Sequence, residues 1–464
     1  MSQCPDSRVK PPRRRTVLRW SLAAGGGLPW LSSLAQVAGP AQEAEPPRLA
    51  LLIGNRDYPD DEDLPPIHKN VRDLRAALEN RGFTVSEALD ADLATARASL
   101  QRFTDQVKAA PPDSTVFFYF SGHGAQVDAE NLLVSARLSP KARPLVLTQG
   151  SLTLTKDVLG QLPISGKGLT IAVIDACRTS LKPVEGEGLN QVEAPPGCLI
   201  AFATGAGKPA IAPNNDANNT FYTASLIKVM NSASGETPFS DVFRLVKTDT
   251  QNTMLGHPLK ILRDFAQVPF IAENTQIRRR LAPRVPDAPP PPPRKEDESV
   301  AWARLESLIW PADVAKAASQ YLADYPDSQL VGSAQVARDG ALEAAKILRR
   351  TDVRLFRSAF EVNAQVPAET AADIVKAGRG DKDAAARLGQ RSAPEVGYGG
   401  AGIDKSGRYE GWMQYAAELG NGIASYRLAL YYRRVDQPQL ASQYEALARK
   451  LGYTPPPSLD NKRS

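Results

Sequence analysis

At 464 residues the chain has room for two or three domains, and its 42% apolar and 23% charged residues are those of a globular protein rather than a disordered one. The formal net charge of +5 does not mark a nucleic-acid binder: residues 1–41 carry Arg8, Lys10, Arg13, Arg14, Arg15 and Arg19 against Asp6 alone, so the remainder of the chain is neutral. Three cysteines (Cys4, Cys177, Cys198) and three histidines (His68, His123, His257), with no CxxC or HExxH, leave no disulfide framework and no metal-ligand motif.

In chain order, Arg14-Arg15-Thr16-Val17-Leu18-Arg19 comes first, ahead of an uncharged Gly- and Ala-rich stretch from Trp20 to Ala38. The pattern resembles a twin-arginine export signal, so residues 1–45 read as a signal segment that sends the protein to the periplasm, with a retained N-terminal anchor as the alternative. No later segment is long and apolar enough to cross a bilayer.

Residues 46–272 alternate short apolar runs with helix-period segments, which predicts an α/β fold: a mostly parallel sheet with helices on both faces. Strands are expected at Arg48–Gly54, Phe83–Leu89, Thr115–Phe120, Leu169–Ile174 and Cys198–Ala203. Helices are expected at Asn70–Arg81, ended by Gly82, at Leu93–Ala109, and near Tyr222–Met230 and Ser240–Asp249. Residues 273–298, with Pro289–Pro293, read as an interdomain linker that can continue neither a helix nor a central strand.

Residues 299–464 are Ala-rich and helix-period. Gly380–Gly389 and Gly420–Ala429 align at an offset of 40, which predicts a short helical solenoid, with a plain helical bundle as the alternative. Tyr415–Leu430 resembles the Sel-one-like relatives of tetratricopeptide repeats, and Tyr321–Ala334 resembles a tetratricopeptide helix pair, which implies protein partners for this region.

Two strand ends carry chemistry. Thr115–Phe120 leads into Ser121-Gly122-His123-Gly124, and Leu169–Ile174 into Asp175-Ala176-Cys177-Arg178. Side chains at the carboxyl ends of parallel strands stand where ligands gather, and an imidazole beside a thiol is the composition of an activated cysteine nucleophile with its base. Gly122 and Gly124 would let the backbone turn sharply around His123, and the backbone N–H groups of Gly124 and Cys177 are candidates for an oxyanion hole.

Over Arg48–Ala272 the chain resembles the caspase-like cysteine peptidases, in their bacterial metacaspase branch. The match rests on LALLIGNRDY, IHKNVRDLRAAL, FYFSGHGAQ, IDACR and LIAFATGAGKPA with the later YTASLI. The interval from His123 to Cys177 is also close to the ~50 residues that separate the two groups in caspases. The resemblance implies a catalytic dyad of His123 and Cys177, an oxyanion hole at Gly124 and Cys177, and a substrate pocket at Asp175, Asp73 and Ser121. Acidic pocket residues imply cleavage after Arg or Lys. Asp175 as the cap of a following helix, and Asp73 as ordinary solvated charge, are the plainer readings of those two residues. Asn70 and Arg72 depart from the family's pocket motif.

No cofactor is implied, and calcium dependence stays open because no acidic calcium cluster is visible. Cys198 reads as a core residue, His68 as a residue at the start of a helix, His257 as a strand or turn residue, and Lys182 as an exposed loop lysine or an autoprocessing site. A different class of function, an envelope scaffold that binds proteins through its helical repeats, competes with the peptidase. A Cys177–Cys198 disulfide would be the hazard of an exported thiol.

Overall fold

The computed structural model describes residues 45–127, 130–162, 164, 166–179, 192–205, 210–282, 296–393 and 407–453, without the side chains of residues 177–179, 296 and 297. The twin-arginine stretch, Lys182 and the run Pro289–Pro293 lie outside the described residues.

Among the described residues the elements follow in chain order: β1 (Arg48–Gly54), α1 (Ile67–Glu79), β2 (Phe83–Leu89), α2 (Leu93–Ala109), β3 (Thr115–Val127), β4 (Glu130–Val134), α3 (Pro144–Gly150), β5 (Ser151–Thr153), β6 (Leu169–Thr179), β7 (Cys198–Phe202), α4 (Phe221–Ser232), α5 (Phe239–Leu255), α6 (Lys260–Asp264) and β8 (Phe270–Asn274). The C-terminal region is helical: α7 (Glu296–Ser307), α8 (Pro311–Asp324), α9 (Val331–Leu348), α10 (Ala368–Gly378), α11 (Lys382–Arg391), α12 (Arg408–Glu418), α13 (Gly422–Arg434) and α14 (Pro438–Lys450).

The main path of the sheet runs β2-β1-β3-β6-β7-β8, parallel except for β8, which is antiparallel to β7; off this path β4 pairs antiparallel with β3 and with β5. The apolar strands alternate between two cores because successive side chains point to opposite faces. Leu51, Ile53, Phe118, Phe120 and Ile174 pack with Leu100 and Phe103 of α2. Ala50, Leu52, Phe117, Tyr119 and Val173 pack with Leu74 of α1, Leu226 of α4 and Phe243 of α5. The α/β fold with helices on both faces is what the sequence predicts, and β1, β2 and α2 fall on their predicted bounds.

Two strands run past their predicted ends. β3 continues through Ser121-Gly122-His123-Gly124 to Val127, and β6 continues through Cys177 to Thr179. The two extensions pair with each other in register, and Gly124–Val127 also pairs with Glu130–Leu133 of β4, so backbone partners are supplied on both sides. Gly122 therefore does not turn the chain. Its lack of a side chain serves close approach, since a Cβ there would lie 2.6 Å from the Tyr58 hydroxyl.

The predicted linker begins with residues that pack on the sheet. Glu273 and Asn274 belong to β8, Leu281 is fully buried, and Arg48 donates to the carbonyl of Leu281 at 3.2 Å. In the helical region, α10 and α11 meet at a turn that matches the one joining α12 to α13. Asp381 and Asn421 each cap the following helix, their N–H groups bond to Lys376 O and Ala416 O, and Gly380 and Gly420 adopt φ of +80° and +98°.

Candidate active site

Asn55, at the end of β1, anchors the loop that leads over the site. Its N–H donates to Ser121 O at 2.9 Å, its Nδ2 to Val134 O at 3.1 Å, and its Oδ1 accepts from Ala91 N at 3.0 Å. The loop then brings Tyr58 against β3. The Tyr58 hydroxyl donates to Val134 O and accepts from His123 N–H, both at 3.1 Å, while its ring packs edge-on against the imidazole with centroids 4.5 Å apart. Four residues on, the Glu62 carbonyl meets His123 Nε2 at 2.7 Å.

That contact fixes the tautomer. A carbonyl only accepts, so Nε2 carries the proton and Nδ1 carries the lone pair. Nδ1 is buried and, among the described residues, has no hydrogen-bond partner. Burial pushes the imidazole below its usual pKa near 6.5, and the hydrogen bond to Glu62 O opposes this only in part. The ring is a base of depressed pKa whose acceptor nitrogen no described residue occupies.

Across the strand pair, the Cα of His123 is the partner of the Cα of Cys177, and Ser121 is the partner of Asp175. The side chain of Cys177 lies outside the described residues. Gly124 is the partner of Arg178 on one side and of Leu133 on the other.

Asp175 is 3% exposed and caps no helix, because β6 runs on past it. Its Oδ2 accepts from Thr220 Oγ1 at 2.5 Å, Thr223 Oγ1 at 2.6 Å and Tyr119 OH at 3.5 Å. All of these partners are hydroxyls, so among the described residues the carboxylate is solvated by dipoles, with no cation hydrogen-bonded to it. Burial raises its pKa above the ordinary aspartate range, and the hydroxyl bonds pull the other way.

Asn70 ties this cage to α1. Its Nδ2 donates to Thr220 Oγ1 at 3.1 Å and to Ser121 Oγ at 3.3 Å, and its Oδ1 accepts from Thr220 N at 3.0 Å. Asp73, one turn further along α1, does not join the cage. It pairs with Lys69 at 2.7 Å and Arg72 at 3.2 Å; burial works against its ionised form, but these donors hold its pKa below the ordinary range.

Tyr58, the Glu62 carbonyl, Thr220 and Thr223 were not singled out by the sequence. Thr220 had a legible signal, as a threonine directly before a helical stretch; a main-chain carbonyl leaves none. Cys198 is fully buried with its thiol pKa pushed up to about 12 by burial, so it is inert. A Cys177–Cys198 disulfide is excluded by register. Cys198 pairs with Thr170, seven residues before Cys177 on β6, which is roughly 20 Å along the strand and far beyond disulfide reach. His257 sits in the turn after α5, edge-on to Phe221 at 5.9 Å, and His68 lies in α1, 2.7 Å from Asp90.

Beside the end of β7, the segment between α5 and β8 exposes Leu259, Ile261, Phe265 and Val268. Gln267 fastens it to the sheet, donating to Ala203 O at 3.1 Å and accepting from Ile211 N at 3.3 Å. The described residues hold no group of three or more His, Cys, Asp or Glu side chains able to bind a metal, and none of their helices is long and apolar enough to cross a membrane.

The family's sequence profile, described as Caspase domain, matches residues 47–280, half of the chain. The chain belongs to the caspase family. Its fold and its domain are those of a cysteine peptidase acting on proteins. Caspase-1 from Spodoptera frugiperda is a similar solved structure, at 14% identity over 50% of this chain and 91% of that one, with a TM-score of 0.38. No curated protein matches the chain.

Proposed function

We propose that the protein is a cysteine endopeptidase in which Cys177 is the nucleophile and His123 its base, and that it cuts after Arg or Lys. The observation that carries this reading is the buried Nδ1 of His123, which has no hydrogen-bond partner among the described residues, on a ring oriented by the Glu62 carbonyl, at the residue whose Cα is the cross-strand partner of Cys177. In the first step the thiol proton passes to Nδ1 as sulfur attacks the scissile carbonyl. The imidazolium then protonates the leaving amine, and a thioester remains on Cys177. Water, deprotonated by the same nitrogen, attacks the thioester; the acid product leaves and the thiol regains its proton. Backbone N–H groups at Gly124 and Cys177 are the donors proposed for the oxyanion.

The basic preference rests on Asp175. It is a buried carboxylate whose described hydrogen-bond partners are all hydroxyls, so a guanidinium or ammonium entering its pocket finds a charge not yet neutralised. Asp73 contributes less to that field because Lys69 and Arg72 already engage it. An acidic pocket favours the metacaspase branch over the aspartate-cutting caspases. The exposed apolar segment around Ile261 and Phe265 would face residues neighbouring the basic one.

The purified protein, incubated with peptide amides ending in arginine, lysine or aspartate, tests the reading against Cys177→Ala. Equal rates for the two proteins would refute the nucleophile, and faster cleavage after aspartate would refute the pocket.

The matched turns at Asp381 and Asn421 support reading the helical region as a short repeat array that brings protein partners to the peptidase. Residues 1–45 are proposed to send the chain to the periplasm.

A further inference from the structure

Where the helical region meets the peptidase fold, the two leave a cavity of about 300 Å³ between them. α5 and the residues after β8 line it on one side, and α7, α9 and α10 on the other. That volume lies at the small end of the range for ligand sites, which gather where two regions of a chain meet. Part of the lining is closed by ion pairs. Arg244 links the buried Glu273 carboxylate, at 2.9 Å, to Asp381, at 3.0 Å, and Glu273 N–H donates to Asp383 Oδ2 on α11 at 2.9 Å. Ile277, Trp302, Leu305, Val336, Ala337 and Val375 supply an apolar wall.

Two charges on this lining are not matched. Asp241, in the first turn of α5, has a side chain 14% exposed and a hydrogen bond from the Ser333 hydroxyl. The Arg244 guanidinium stands 3.9 Å away, outside hydrogen-bond reach, and is already held by the two carboxylates just named. Arg379, directly after α10, donates to the carbonyls of Val375, Leu305 and Glu306 at 3.1, 3.3 and 3.2 Å, and pairs with no carboxylate among the described residues. Those bonds leave part of the five-donor guanidinium fork free. Burial raises the Asp241 pKa and lowers that of Arg379, so each ion is short of a partner. The two feel each other's charge without bonding.

We propose that this cavity binds a free α-amino acid with an apolar side chain, its ammonium on Asp241, its carboxylate on Arg379 and its side chain against Leu305, Val336 and Val375. The lining carries as many acidic as basic side chains, so a ligand of net charge gains nothing from it as a whole. A zwitterion completes both open pairs at once, and an apolar side chain is drawn to the wall. The bound amino acid bridges α5 to α7, α9 and α10, and so fastens the helical region to the peptidase fold. This site is independent of the chemistry proposed for Cys177.

Titration calorimetry on the full chain tests this with L-leucine and L-phenylalanine, and with the N-acetyl form and the amide of each, which lack the ammonium and the carboxylate respectively. At least one free amino acid should bind one-to-one, and its two blocked forms should bind about tenfold more weakly or worse. Asp241→Asn should weaken the free amino acid by about tenfold and leave its N-acetyl form unchanged, and Arg379→Gln should do the same with respect to the amide. No binding of either free amino acid at about 10 mM would overturn the proposal. So would blocked forms that bind as tightly as the free one, or an Asp241→Asn protein with wild-type affinity. Where Arg379→Gln loses helical circular dichroism, Val336→Phe takes its place. It fills the cavity without touching either charge, so it should abolish binding, and unchanged affinity would overturn the site.

Discussion

The imidazole Nε2 of His123 lies 2.7 Å from the carbonyl oxygen of Glu62, so a main-chain group, not a carboxylate, orients the base. The carbonyl holds the tautomer, and burial outweighs the upward pull that this bond and the Glu62 carboxylate exert on the pKa of the ring. With burial depressing that pKa, the acid limb of kcat/KM should fall at a pH below the ordinary histidine value near 6.5. The stability sign follows from the same shift. Between the folded pKa and about 6.5 the unfolded chain binds more protons, so stability should rise with pH across that interval and be lost as pH falls through it. Activity profiles and thermal melts across pH 5–8 check both, and removal of the stability slope by His123→Ala assigns it to this ring.

Tyr58 links the loop that carries Glu62 to β3 through one hydroxyl with two bonds, to Val134 O and from His123 N–H. Tyr58→Phe keeps the ring packed against His123 but leaves both backbone groups without that partner. A stability loss of about 1–2 kcal/mol is expected, with kcat reduced about tenfold and KM little changed, because the base loses its position and the pocket does not. Denaturant unfolding and steady-state kinetics separate the two effects.

At the Asp175 cage, Thr223→Val removes a donor 2.6 Å from the carboxylate and breaks the Tyr119–Thr223 contact at 2.7 Å. Leaving those groups short of a partner should cost about 1–3 kcal/mol. It should also raise the Asp175 pKa further, so binding of arginine substrates should weaken at acid pH. The ionised form gains as pH rises through that pKa, and KM for arginine substrates should fall over the same range. Asp175→Asn should abolish the preference for arginine over a neutral isostere and flatten the pH dependence of KM; an unchanged preference would place specificity elsewhere.

Much of this was legible in the residues themselves. Arg48–Gly54 and Leu93–Ala109 were readable because a continuous apolar run and a clean 3.6-residue stripe each report one environment. His123 and Cys177 were readable because of the motifs around them. The strand extensions through Ser121–Val127 and Asp175–Thr179 were hidden: glycine and charge there argue for a loop, and only the pairing of β3 with β6 on one side and with β4 on the other overrides that local signal. Asn70 was counted as a departure from a family pattern, whereas its amide is the bridge between Ser121 and Thr220. Such a role depends on residues 51 and 150 positions away, and no local pattern encodes it.

The small residues of the helical region give the last prediction. A Cβ at Gly340 in α9 would stand 2.1 Å from the carbonyl oxygen of Arg379, and one at Gly378 would stand 2.1 Å from that of Ile309. Both obstacles are backbone, so they cannot swing aside as a side chain would. Gly340→Ala gains helix propensity worth about 1 kcal/mol, yet forcing the two segments apart should cost more, about 1–3 kcal/mol net of that gain. Gly166→Ala, with no atom within 4 Å of the added methyl, should stay within about 0.5 kcal/mol of wild type. The displaced segment is the Arg379–Gly380 turn directly before Asp381, whose carboxylate caps α11 and pairs with Arg244. Gly340→Ala should therefore also speed exchange of the Glu273 amide, which α11 covers from the far side of that turn, whereas Gly166→Ala should leave it unchanged.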